Sequence, residues 1–142
     1  MRRFGLAREA LREYGIRDAS DYAESLVAEA LRGKRMASRV NKGHDVVTSA
    51  YGRIEVKCRQ LPADGRLEER VSVGASKKSG FDFLAVVIFN ADFTLRGAVL
   101  VPYSAVWRLT RRQRYNRISY PQAVLAPGSI DITRKVRNAA NA

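Results

Sequence analysis

Residues 43–59, GHDVVTSAYGRIEVKCR, carry the side chains best suited to chemistry. The stretch reads as a strand, a tight turn at Tyr51-Gly52, and a second strand. Side chains alternate faces along a strand, so Glu55 and Lys57 share one face while Val56 and Cys58 share the other. Folding the hairpin about Ala50-Tyr51 brings Asp45 roughly opposite the Glu55/Lys57 pair. Two carboxylates and an amine then converge on one face of a sheet. Magnesium prefers carboxylate and carbonyl oxygens and keeps several waters, and Mn²⁺ is a possible substitute. Held between Asp45, Glu55 and a phosphate, the ion activates a coordinated water and screens charge on the phosphate. Lys57 can orient the attacking hydroxide and stabilise the negative charge as it develops. The expected chemistry is metal-dependent hydrolysis of a phosphodiester, with Asp45, Glu55 and Lys57 catalytic and no side-chain nucleophile.

The same residues also suit a surface hairpin with a cross-strand ion pair, worth about 0–1 kcal/mol. The surrounding elements favour the metal reading. A helix over about residues 21–33 buries Tyr22, Ala23, Leu26, Val27, Ala30 and Leu31, and Asp21 with Glu24 can form a capping box at its start. Met36–Val40 reads as a strand, and the hairpin strands fall near 44–49 and 53–60. Phe81–Asn90 is apolar enough for a strand buried on both faces, and Leu95–Tyr103 pairs back against it. Val71 and Val73 mark a short strand between. A further helix covers residues 4–14.

Asp45, then Glu55-Val56-Lys57, after a helix containing Ala23-Glu24-Ser25-Leu26-Val27, resembles the PD-(D/E)xK nuclease superfamily, which includes restriction enzymes, junction resolvases and homing nucleases. The resemblance covers about residues 20–102. It implies an α/β, restriction endonuclease-like core: a central mixed β-sheet flanked by helices. It also implies Asp45 and Glu55 as magnesium ligands, the backbone carbonyl of Val56 as a further ligand, and Lys57 as the catalytic lysine. Many members add an acid from the first helix, here Glu24. His44 stands where proline is usual, and residues 60–81 are polar and Gly-rich where the family has a helix.

Charge points to a nucleic-acid partner. Lysine and arginine number 26 against 14 acids, a net charge of +12. Residues 103–142 hold eight basic groups and one acid, whereas residues 43–102 are nearly neutral. Such a field attracts phosphate backbones through counterion release, and arginine contacts phosphate in bidentate fashion. Ser104 can cap a helix reaching about Tyr115, on which Arg108, Arg111 and Arg114 recur three apart. These three, with Arg59, Lys77, Lys78, Arg112 and Arg117, are the candidate DNA contacts. Trp107 and Tyr115 can stack on bases. Asp131 caps a last short helix.

The chain is expected to be a single domain over residues 1–142: an N-terminal helical extension to residue 20, a catalytic core over 20–102 and a basic helical segment over 103–142. Cys58 is alone, which excludes a disulfide framework and suits a cytoplasmic setting. No signal peptide or membrane span is read. The function expected is a magnesium-dependent DNA endonuclease, with double-stranded or branched DNA as partner. Cutting both strands of a duplex needs two such sites, hence a homodimer or higher oligomer. Two alternatives stay open: a non-catalytic nucleic-acid-binding protein that keeps the fold, and an RNA-directed nuclease.

Overall fold

The computed structural model of the chain describes residues 19–36, 45–74 and 80–142. The 4–14 helix, His44, Lys77, Lys78 and all but the first residue of the Met36–Val40 strand lie outside them. Helix α1, Ala19–Ala30, leads to the two-residue strand β1, Lys34–Arg35. Strands β2, Val46–Thr48, and β3, Gly52–Gln60, form the hairpin. Strand β4, Arg70–Ser72, precedes the long pair β5, Phe83–Phe89, and β6, Leu95–Pro102. The C-terminal third alternates helix α2, Tyr103–Thr110, strand β7, Arg117–Ser119, helix α3, Tyr120–Leu125, strand β8, Ile130–Asp131, and helix α4, Thr133–Asn141.

Six strands form one mixed sheet in the order β1-β2-β3-β5-β6-β8, and β4 pairs with β7 in a separate ribbon. Every neighbouring pair is antiparallel except β3 and β5, which run parallel in the register Glu55↔Leu84 and Lys57↔Val86. Parallel neighbours need a crossover. It is made by residues 61–82, whose described part contains β4 and no helix.

Alternation along the strands divides the core in two. Ile54, Val56, Ala85, Val87, Phe89, Ala98 and Leu100 face helices α1 and α4, which contribute Tyr22, Ala23, Leu26, Val27 and Val136. Leu84, Val86, Ile88, Val99 and Val101 face α2, α3 and the β4–β7 ribbon, which contribute Ala105, Val106, Ala123, Val71 and Ile118. The result is three layers, with helices on both faces of the sheet. Strand β5 has no polar side because both its faces are covered. Each fully buried Val or Ile along it contributes about 1.5–3 kcal/mol of apolar transfer free energy.

The hairpin closes through a three-residue loop, with Thr48 opposite Gly52. The Thr48 hydroxyl accepts the Tyr51 amide at 2.8 Å and donates to the Gly52 carbonyl at 3.3 Å. Gly52 takes φ +73°, a left-handed conformation that a side chain would strain, and an added Cβ would also strike the Asp82 carboxylate. Asp82 uses that proximity: it accepts the Arg53 amide at 2.8 Å and both arms of the Arg53 guanidinium, tying the start of β3 to β5.

Two further anchors set the C-terminal third. Ser119 and Gln122 form a reciprocal capping box at the start of α3. Asp131 accepts the Thr133 amide at 2.9 Å ahead of α4, while the Thr133 hydroxyl both accepts from and donates to the Ala98 backbone. The Thr133 hydroxyl and amide hold the Asp131 carboxyl below the ordinary aspartate range. That contribution to stability is therefore present above the ordinary range and is lost as pH falls through the lowered value. The residue expected to cap a last helix thus does so from within β8, with Ile132 as the intervening N-cap.

Gly97 permits a close approach between layers, because an added Cβ would meet the Tyr120 hydroxyl and come within 2.7 Å of its ring carbon Cζ. Gly97→Ala is expected to push the rigid Tyr120 side chain out of its seat and lower stability by about 1–3 kcal/mol, read as a drop in thermal midpoint. An unchanged midpoint would show that Tyr120 moves freely.

Candidate active site

Strand β3 is the axis of the site. Register pairing puts Arg53, Glu55, Lys57 and Arg59 on the face of the sheet that carries Leu84 and Val86. A strand alternating charged and apolar residues fits an amphipathic position near the end of the sheet's apolar centre. Glu55 is 1 % exposed, whereas Lys57 is half-buried and Arg53 and Arg59 reach solvent. The pairing of Glu55 with Lys57 on one face, and of Val56 with Cys58 on the other, is as expected from alternation.

Asp45 sits where β2 gives out. Its amide donates to the Ile54 carbonyl at 2.8 Å, and Ile54 is also the register partner of Val46, so Asp45 has stepped out of the regular ladder. Its carboxylate takes the place of the main chain: Oδ2 accepts the Val56 amide at 2.8 Å. That amide belongs to the peptide joining Glu55 to Val56. The Asp45 carboxylate is thereby tied to the backbone of β3 between Glu55 and Lys57. The N–H and C=O of one strand residue point to the same side, so the Val56 carbonyl points to the edge that Asp45 occupies. Oδ2 is engaged, while a carboxylate has a second oxygen and several lone-pair sites. On its other side Asp45 accepts the Met36 amide through its carbonyl at 2.9 Å, which fixes its backbone against the chain leaving β1.

Glu24 stands on helix α1. Helix α1 packs on the Ile54/Val56 face, opposite Glu55 and Lys57. The helix is already under way at Asp21, so Asp21 and Glu24 make no capping box. Both are buried, and both grip one guanidinium: Arg35 Nη2 donates to Glu24 at 2.9 Å and to Asp21 at 3.1 Å. Arg35 Nη1 also donates to the Ser25 hydroxyl at 3.2 Å. Among the described residues no group of three or more His, Cys, Asp or Glu side chains gathers at one point. A divalent ion at Asp45 and Glu55 would therefore complete its shell with main-chain oxygen, water and phosphate. Magnesium commonly binds through one or two carboxylates in that way. Carboxylate and main-chain oxygens are the donor types that magnesium prefers.

The basic candidates divide. Arg59 lies 3.9 Å from Glu68, which also meets Arg70 at 3.6 Å, a loose exposed arrangement. Arg108 lies on α2, but the helix stops at Thr110, with Arg111 as its C-cap. Arg112 and Arg114 follow in the turn, and Arg117 begins β7. The expected row of Arg108, Arg111 and Arg114 on one helix is thus replaced by a helix end and a turn. Residues 111–114, RRQR, offer nothing apolar to bury, so continuing the helix would gain no core contact. The turn is closed instead by Gln113, whose amide donates to the Leu109 carbonyl at 2.9 Å and accepts the Arg117 amide at 2.8 Å.

The Arg35 grip on two helix acids and the Gln113 clamp escape a reading of the sequence. Asp21 and Glu24, three apart beside an apolar stripe, are the one signal that could have announced the first. No helix among the described residues is long and apolar enough to cross a membrane. No family model matches the chain, and no curated protein matches it.

Proposed function

We propose that the chain is a magnesium-dependent DNA endonuclease of the restriction endonuclease-like type, hydrolysing phosphodiesters at Asp45, Glu55 and Lys57. The observation that carries this reading is the Asp45 carboxylate bonded to the Glu55–Val56 peptide. It supports a two-carboxylate, one-carbonyl donor set made by Asp45, Glu55 and Val56. Magnesium, when bound there, supplies an activated water and neutralises charge on the phosphate. The chain's own residues do the rest. Asp45 and Glu55 would hold the ion through which the scissile phosphate is positioned, Glu55 from a site 1 % exposed. Lys57 donates hydrogen bonds toward the phosphate oxygens, where negative charge grows. The mixed sheet with helices on both faces is the coarse architecture such a site requires. Glu24, held by Arg35, is left out of the proposed set. A homodimer would supply the two sites needed to cut both strands.

Binding without cleavage is the second reading, and the near-complete burial of Glu55 favours it. One assay separates the two: the purified chain with Mg²⁺ and plasmid, junction and single-stranded DNA, with products mapped. The endonuclease reading expects cleavage with Mg²⁺ or Mn²⁺, and with Ca²⁺ binding but no turnover. Full cutting in excess chelator would contradict it. The basic surface gives an independent expectation. Arg108, Arg111 and Arg114 replaced together by Ala should weaken binding to all sequences and lower the slope of log affinity against log salt by roughly 2–3. An unchanged slope would make these arginines a solvated face.

A further inference from the structure

Two large aromatic side chains stand exposed within nine residues of each other: Trp107, 44 % exposed on α2, and Tyr115, 63 % exposed in the turn that follows. Their setting is rigid and cationic. The turn is clamped by Gln113 at one end, and the Asn116 carbonyl accepts the Val73 amide at 2.7 Å at the other. Asn116 itself takes φ 50°, the left-handed conformation that asparagine tolerates best after glycine. The guanidinium carbons of Arg114 and Arg117 each lie 5.4 Å from the centre of the Tyr115 ring. A cation–π contact fixes a guanidinium without cancelling its charge. No acid occurs between Asp92 and Asp131, and among the described residues none of the five arginines from Arg108 to Arg117 makes an ion pair.

Phosphate attraction needs only the cations. Exposed rings beside them add a surface on which bases stack, as do guanidinium planes. In a duplex the bases are already stacked on each other, so only unpaired bases can use that surface. We infer that the corner between α2 and β7 binds nucleic acid with unpaired bases, stacking them on Tyr115 and Trp107 while the flanking arginines hold phosphates. This rests on the reading of the chain as a nucleic-acid protein, though not on Asp45, Glu55 or Lys57. It narrows the substrate to single strands, or to junctions that expose them.

Trp107 is the one tryptophan of the chain, so its fluorescence reports this corner alone. The test titrates the native chain, in Ca²⁺ to prevent turnover, with a short oligonucleotide as a single strand and as a duplex. The single strand should quench Trp107 strongly and the duplex weakly. Tyr115→Ala should weaken single-strand affinity about tenfold and leave duplex affinity unchanged, and Tyr115→Phe, which keeps the ring, should restore it. Equal quenching by both forms, or equal losses, would overturn the inference and reduce the corner to a phosphate contact. Quenching by anionic vesicles but by neither nucleic acid would also overturn it, in favour of a lipid surface. The Mg²⁺ cleavage assay reads the catalytic proposal separately. A chain that quenches but never cuts sustains this inference and sinks that one, and one that cuts without quenching does the reverse.

Discussion

Glu55→Gln is expected to reduce magnesium-dependent cleavage by on the order of 10³-fold while leaving DNA affinity nearly unchanged. The substitution keeps size and shape in a position that is 1 % exposed, so packing around β3 should hold. What it removes is the charge that attracts a divalent ion. Lys57→Ala should separate the roles: most of the rate is lost, with little change in the metal concentration needed for half-maximal activity. Lys57 is half-buried beside Val86 in the register, so Lys57→Met, which keeps the apolar stem, should show the same loss of rate. Thermal midpoints close to that of the native chain are the control that the fold survives. A Glu55→Gln protein that cuts at the native rate would remove Glu55 from the site.

The largest effect on stability is expected from Arg35→Ala. Arg35 holds two buried carboxylates, Asp21 at 3.1 Å and Glu24 at 2.9 Å, and links α1 to the edge of the sheet. Removing one partner of a buried ion pair costs about 3–5 kcal/mol. A third of the Arg35 side chain remains exposed, so solvent screens part of this and about 2–4 kcal/mol is expected. For a chain of this size that corresponds to a fall of roughly 6–15 °C in thermal midpoint. A thermal midpoint unchanged by Arg35→Ala would show that the Arg35 contacts to Asp21 and Glu24 add nothing to stability.

Some of this architecture was legible in the amino-acid order and some was not. The hairpin, the continuous apolar run FLAVVIF of β5 and its return in β6 were readable because their patterns are local. Period-two alternation placed Glu55 and Lys57 on one face, and the turn brought Asp45 to the backbone of β3. The helix expected to reach Tyr115 stops at Thr110 because Gln113 bonds backward and forward across the turn, a contact that no propensity announces. Strands β7 and β8 are three and two residues long and carry one apolar side chain each. They are strands because β4 and β6 present edges to them from far away in sequence, and the basic third of the chain accordingly read as helical. Glu24 followed the pattern of a first-helix acid, and its contact with Arg35, eleven residues on, is not announced by that pattern. Charge pattern grouped the arginines but could not show that Tyr115 stands between two of them.

The most direct test of the central claim is the rate of Mg²⁺-dependent strand cleavage by Asp45→Asn relative to the native chain, at saturating DNA. Asparagine can still accept the Val56 amide, so the local geometry at β3 should persist while the negative charge is lost. Native-like DNA binding with no measurable cleavage is the expected result. Cleavage at the native rate by Asp45→Asn would contradict it.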